Sequence, residues 1–70
     1  MAMQMQEHPD GQQFMSDVYR DRPIAILHRY GRWHVYLDHV LQHNVEFATA
    51  EQAVAWLMAR VDQGIPARLN

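Results

Sequence analysis

Residues 24–38 read IAILHRYGRWHVYLD, and this stretch decides the fold. Two runs rich in β-branched and aromatic residues flank Tyr30 and Gly31, a pair with the length of a two-residue hairpin loop. In that register Ile24 faces Leu37, Ile26 faces Val35, and His28 faces Trp33. A shift of one residue would mix these side chains with those of the opposite face, so the pattern itself selects the register. The opposite face then carries Ala25, Leu27, Arg29, His34, Tyr36 and Asp38.

Residues 50–63 predict a C-terminal helix. Thr49 and Gln52 have the spacing of a capping box, while Gly64 and Pro66 are suited to ending the helix. One apolar stripe is expected to face the sheet: Ala50, Val54, Leu57, Met58 and Val61.

The segments on either side of the hairpin complete the predicted fold. Residues 45–48 are interpreted as a short third strand with Val45 and Phe47 pointing inward. Residues 12–20 place apolar side chains at helix-like spacing and predict a short helix that ends before Pro23. The fold class is therefore α+β, a three-stranded antiparallel β-meander with a C-terminal helix packed on one face, in the order (α)βββα. Residues 1–11 are expected to form a flexible tail, 12–66 a single domain and 67–70 a frayed end.

Composition limits the functional classes. The chain has 70 residues, 49% of them hydrophobic, with no cysteine and a formal charge of −2. Disulfides and thiolate metal sites are therefore excluded, and a domain this small is expected to gain stability by self-association. The N-terminus lacks the basic and apolar regions of a signal peptide, so a cytoplasmic protein with no membrane contact is expected.

Two groups of residues are candidates for binding a partner. Trp56 is expected to lie off the helical stripe beside Ala53 and Arg60, and an exposed tryptophan near an arginine is typical of interface hot spots. The alternatives are a wider core stripe or cover from the N-terminal segment. The open sheet face carries a mixture of aliphatic, aromatic and guanidinium groups, also common at interfaces, although it could equally be a solvated face: Leu27, Arg29, His34 and Tyr36.

Metal-binding and catalytic patterns are weak. His39 and His43 lie four residues apart near His34 and Asp38, but they follow a strand and lack a His-Glu-x-x-His pattern, so ordinary turn histidines are the preferred interpretation. His28 is interpreted as a histidine at the edge of the core. The chain has one serine, no lysine and no glycine-rich phosphate loop. No catalytic residue, metal or cofactor is predicted.

The predicted order αβββα resembles that of double-stranded-RNA-binding domains over residues 12–63, and its βββα part is similar to small sheet-type DNA-binding modules. That resemblance implies nucleic-acid binding, here through Arg29, Arg32, His34 and Tyr36. Residues 50–53 read AEQA where the RNA-binding family has lysines, so none of its functional residues is transferred. The leading prediction is a non-enzymatic regulatory or adaptor domain that binds another protein or itself as a homodimer. Nucleic-acid binding through the open sheet face is the alternative.

Overall fold

The fold is described from a computed structural model, for the backbone of residues 4–7 and for residues 13–64. The elements are β1 (Gln4–Glu7), β2 (Gln13–Tyr19), β3 (Arg22–Arg29), β4 (Arg32–Leu37), β5 (Val40–Leu41) and α1 (Ala50–Asp62). The strands form one sheet in chain order, with every neighbouring pair antiparallel. The α+β prediction of an antiparallel meander followed by a packed C-terminal helix is confirmed.

The central hairpin has the predicted register. Ile24 pairs with Leu37, Ile26 with Val35, and His28 with Trp33. Three two-residue turns join β2 to β5, and both residues of each turn have positive φ: Arg20 and Asp21, Tyr30 and Gly31, and Asp38 and His39. Such turns match the right-handed twist of the strands, which is why the meander can be so tightly connected.

The predicted helix over residues 12–20 is wrong. Gln13–Tyr19 is strand β2, which pairs with β1 on one side and with β3 on the other. Its apolar residues come in adjacent pairs because both faces of the strand pack: Met15 and Tyr19 contact the core, while Phe14 lies on the opposite face. Strand β1 also lies within residues 1–11, which were predicted to be a tail.

The edge of the sheet beyond β4 also differs from prediction. Residues 45–48 do not form a continuous strand; Phe47 alone bridges to Trp33, and the regular pairing is made by β5. Between them, the buried Gln42 donates from its backbone to Val35 O at 2.9 Å and from its side chain to Val40 O at 2.9 Å. These bonds hold an interrupted edge against β4. Val45 and Phe47 pack against the core as predicted.

The core lies between the sheet and α1. It contains Ile24, Ile26, Trp33, Val35, Leu37, Ala53, Leu57 and Val61. The helix begins as predicted, with Thr49 Oγ1 accepting from Gln52 N at 3.2 Å, and Gly64 follows its end with φ 70°. The buried face of α1 is rotated relative to the predicted apolar stripe, because Ala53 is 0% exposed whereas Val54 is only partly buried.

Two further expectations concern the chain ends and membranes. The frayed end predicted for residues 67–70 lies outside the described residues. Over the part of the chain that is described, no helix combines the length and apolar character that a bilayer span requires.

Candidate functional site: the open sheet face

The side of the sheet opposite α1 is the candidate site, and we call it the open face. Because strand side chains alternate, the residues between the core positions all project here. The facing pairs across the strands are Phe14 with Leu27, Ser16 with Ala25, Val18 with Pro23, Leu27 with His34, Ala25 with Tyr36, Arg29 with Arg32, and Tyr36 with Leu41. Four strands thus build one continuous surface.

The middle of the open face is apolar and aromatic. The rings of Phe14 and Tyr36 meet edge to face, with centroids 6.4 Å apart and planes at 67°. Leu27 lies beside Phe14 on the neighbouring strand, and Leu41 lies beside Tyr36. In a sheet with one solvated face the outward positions are usually polar, so this row of apolar side chains is unusual for a surface left in water.

A shallow groove lies at the end of the open face near the β2–β3 and β4–β5 turns, and we call it the turn-end groove. Its volume is about 580 Å³. Most of its lining is apolar, and Val18 on its rim is 59% exposed. The groove is lined by Phe14, Ser16, Asp17, Val18, Pro23, Ile24, Ala25, Tyr36 and His39.

The opposite end of the open face is the β3–β4 hairpin tip, residues 29–32. Tyr30 is 87% exposed, and the Arg29 guanidinium carbon lies 5.0 Å from the centre of its ring. Tyr30 also borders a hollow of about 170 Å³ with Leu27 and His34, which places it beside the open face. Arg32 Nε is 3.8 Å from Glu46 Oε1, and both side chains are about half exposed, so this ion pair is screened by solvent.

Ion pairs organise the turn end of the sheet. Arg22 donates to both carboxylate oxygens of Asp38, at 3.2 and 2.6 Å, which lowers the pKa of Asp38 and raises the pKa of Arg22. Asp62 on α1 accepts from Tyr19 Oη at 2.9 Å and pairs with Arg20 Nε at 2.9 Å. The hydrogen bond with Tyr19 and the charge of Asp62 raise the pKa of Arg20. These contacts tie the β2–β3 turn to the end of the helix.

The charged groups at the turn end are mostly paired. Arg22 pairs with Asp38, and Arg20 pairs with Asp62 on the helix. At the hairpin tip, Arg29 and Arg32 are exposed, and Arg32 lies near Glu46. The apolar middle of the open face lies between these two ends.

The predicted partner-binding residues divide between the two sides of the sheet. Leu27, Arg29, His34 and Tyr36 come together on the open face. Trp56 and Arg60 lie on the helix side, where Trp56 packs against the core, its ring centroid 6.0 Å from that of Phe47 and 4.6 Å from the Arg60 guanidinium carbon. The prediction that Trp56 lies off the core is therefore wrong. Ala53 is wholly buried and is not available to a partner.

The site residues predicted from the sequence did not include Phe14, Val18, Tyr30 and Leu41. A signal for the first two was present: Phe14, Ser16 and Val18 alternate, and Tyr19 and Arg22 are separated by two residues, as in a hairpin. Tyr30 was treated only as a turn residue, and its exposure depends on the three-dimensional arrangement.

The histidines of the described segments are distributed without a metal site. No group of three or more His, Cys, Asp or Glu residues converges among the residues that were described. His28 faces Trp33 as predicted and stacks on it, with ring centroids 4.6 Å apart. Asp17 Oδ1 accepts from the Val18 backbone at 2.7 Å, while its buried Oδ2 has no hydrogen-bond partner in the described part of the chain.

Comparison of the chain with known families, proteins and structures found no match. No protein-family model matches the chain, and no curated protein or solved structure is significantly similar to it. The functional argument therefore rests on the geometry and chemistry of the open face.

Proposed function

We propose that this chain is a small non-enzymatic interaction domain, with a regulatory or adaptor role, that binds protein through its open face. The observation that carries the proposal is a group of neighbouring apolar and aromatic side chains on a face that no other described element covers: Phe14, Leu27, Tyr36 and Leu41. The exposed Val18 lies on the same face, nearer the β2–β3 turn. Aromatic and aliphatic groups at the centre with arginines at the rim are the usual composition of a protein interface.

A second copy of the chain is the proposed partner. Among the residues that the structure describes, eight apolar residues are buried in the core of this small domain. They are few enough that burying further surface by self-association would add usefully to stability. The four strands have 7, 8, 6 and 2 residues. At about 3.3 Å per residue and about 4.8 Å between strands, they give a flat area of roughly 360 Å² per copy. Because a standard interface buries about 800 Å² per partner, we expect weak, reversible association, with a dissociation constant of about micromolar order.

The test is the molar mass of the purified chain in solution, measured by light scattering over a micromolar concentration series. We expect the mass to rise from monomer towards dimer. Leu27→Glu puts a charge in the centre of the open face and should keep the chain monomeric. Ala59→Glu on the exposed side of α1 is the matched control and should behave like the wild type.

Either of two results would overturn the proposal of self-association. One is a wild-type chain that stays monomeric across the series. The other is a Leu27→Glu variant that associates as strongly as the wild type. Circular dichroism on each variant checks that a loss of association does not come from unfolding.

Nucleic-acid binding is the second candidate, supported by the basic and aromatic hairpin tip. Arg29 and Arg32 are exposed on either side of Tyr30, and arginine with a stacking aromatic suits phosphates and bases. Fluorescence anisotropy of a labelled DNA or RNA duplex, titrated with salt, distinguishes the candidates. Phosphate-driven binding weakens steeply as salt rises and should be reduced by Arg29→Ala with Arg32→Ala.

A further inference from the structure

We infer that the β3–β4 hairpin tip binds single-stranded nucleic acid, with a base stacked on the free side of the Tyr30 ring and the adjoining phosphate between Arg29 and Arg32. This inference rests on the second candidate function and names its ligand; it does not depend on self-association. It is carried by two neighbouring arginines, by the lack of acidic partners around them, and by the exposed ring between them.

Arg29 and Arg32 are direct neighbours across the hairpin. They are a facing pair of β3 and β4, and both are exposed. Side chains that face each other across a sheet have Cβ atoms about 4.5–5.5 Å apart, and like charges in such a pair are destabilising. An anion between the two guanidinium groups removes this repulsion, and phosphate is an anion whose geometry suits arginine.

The open face near this pair is poor in acidic groups. Asp17 is the only carboxylate in β2, β3 and β4, and it pairs with Ile24 on the helix side. Glu7 in β1 pairs with Gln13, which belongs to the same helix-side set. Glu46, beyond β4, is the carboxylate that pairs with the tip, and its Oε1 is 3.8 Å from Arg32 Nε. The tip therefore presents cations on the open face although the chain has a formal charge of −2.

The β2–β3 turn shows the same two residue types in a structural role. Arg20 also lies beside a tyrosine, with its guanidinium carbon 5.7 Å from the Tyr19 ring centre, but Asp62 contacts both residues at 2.9 Å. At the tip, Arg29 lies 5.0 Å from the Tyr30 ring centre, and neither residue has a hydrogen bond or ion pair between side chains in the described part of the chain. The tip thus keeps its guanidinium and its phenol available to a ligand.

The ring of Tyr30 is suited to stacking. It is 87% exposed, and a single guanidinium can cover only one of its two sides. Nucleic-acid bases stack on such aromatic rings, with arginine adding a cation–π contribution. The hollow of about 170 Å³ beside Tyr30, with Leu27 and Tyr36 in its lining, is the place for the neighbouring base. Because every base has a flat face, we expect little sequence preference.

Stacking also favours a single strand over a duplex. In a duplex each base is already stacked and paired, so it must be unstacked before it can lie on an external ring. The two arginines could contact the phosphates of either form, but only a single strand offers its bases to Tyr30 without that cost.

The first test compares the two forms of nucleic acid by fluorescence anisotropy at low ionic strength. The probe is a labelled oligothymidine of about 10 nucleotides, and the comparison is a duplex of the same length. We expect the single strand to bind with a dissociation constant below about 100 µM and the duplex to bind several-fold more weakly. Absence of single-strand binding at about 100 µM protein, or a duplex bound as tightly, overturns the inference.

Tyr30→Asn tests the stacked base while keeping the fold. Tyr30 has φ 52° at the first position of its turn, where asparagine before glycine is the preferred pair, so the melting temperature should equal or exceed that of the wild type. Single-strand affinity should fall about tenfold, as for loss of one stacked base. Tyr30→Phe keeps the ring and should bind within about twofold of the wild type. Equal affinity of Tyr30→Asn and the wild type overturns the stacking.

Arg29→Ala and Arg20→Ala form a matched pair of variants, since each removes one exposed arginine beside a tyrosine. Arg29→Ala should weaken single-strand binding and reduce the slope of log affinity against log salt by about 0.7. Arg20→Ala should change neither, because Arg20 is paired with Asp62 at the other end of β3. If both variants weaken binding equally, the attraction belongs to the overall charge and the tip is not the site.

Failure of this inference is distinguishable from failure of the proposed functions. The molar-mass test of Leu27→Glu contains no oligonucleotide, so self-association stands or falls separately. A duplex bound more tightly than the single strand, with a loss on Arg29→Ala, would keep nucleic-acid binding as the second candidate and overturn the stacked single strand alone. Absence of binding to either form removes both.

Discussion

Trp56→Ala is expected to destabilise the fold, because Trp56 is a packing residue. Its partly buried ring contacts Phe47 and lies under the Arg60 guanidinium. If about 100 Å² of apolar surface is covered by these contacts, the truncation costs about 2.5 kcal/mol at ~25 cal/mol per Å². Loss of the ring contact with Phe47 adds about 0.5–1.5 kcal/mol. The expected loss is therefore about 3–4 kcal/mol.

This loss is large for the domain. A chain of 70 residues is expected to have a free energy of unfolding of roughly 4–10 kcal/mol. Trp56→Ala should consequently lower the urea midpoint sharply. The fluorescence of Trp33, the buried tryptophan that remains in the variant, reports the transition.

Tyr36→Ala is the matched comparison on the open face. It should reduce self-association with a much smaller loss of monomer stability, because its ring contacts Phe14 on a face without further cover from the described elements. Urea unfolding at dilute concentration and molar mass at high concentration separate the two effects. A Trp56→Ala variant that unfolds at the wild-type midpoint yet no longer associates would refute this reasoning and make Trp56 an interface residue.

Three further outcomes follow from the contacts. The pKa of Asp38 is lowered by Arg22, so the stability of this pair is present above the carboxyl's ordinary pKa and is lost as pH falls through the folded value. Asp38→Asn should therefore flatten the acid side of the stability–pH curve, and an unchanged slope would contradict this. His39→Gly should raise stability by about 0.5–1 kcal/mol in thermal unfolding, because His39 has φ 67°. Leu57→Ala should cost about 3 kcal/mol in urea unfolding, since its side chain is wholly buried. Leu41→Ala should cost under about 1 kcal/mol, because Leu41 is only partly buried. Equal losses would contradict this difference in burial.

The parts of the fold that were predicted correctly depend on local signals. The pairing of Ile24 with Leu37 follows from two alternating runs and a two-residue turn, all within 15 consecutive residues. The start of α1 follows from Thr49 and Gln52, and its end from Gly64. Nothing distant in the chain is needed to recognise these features, because a cap or a tight turn involves only nearby residues.

The N-terminal segment shows where local signals become ambiguous. Phe14, Met15, Val18 and Tyr19 fit one helical face, and they fit equally well a strand that packs on both faces. Pairing of β2 with β3 over seven residue positions decides in favour of the strand. The same pairing adds Phe14 and Val18 to the open face, so the error in secondary structure also left the candidate site incomplete.

Trp56 shows a second limit. Helical periodicity predicted one apolar stripe on α1. Packing against the sheet, however, determines which face of the helix is buried. Docking on β3 and β4 buries Ala53 and brings Trp56 onto Phe47, a contact between side chains nine positions apart. The orientation of a packed helix is a property of the surface beneath it.

The sequence by itself determined the hairpin register, the helix limits and the absence of disulfides, because each depends on residue type or on neighbours along the chain. Only the tertiary structure decided that residues 13–19 extend the sheet, that Trp56 belongs with the core, and that apolar and aromatic side chains gather on the face opposite the helix. Those outcomes depend on which distant surfaces exclude water from one another, and the local pattern alone does not decide between the alternatives.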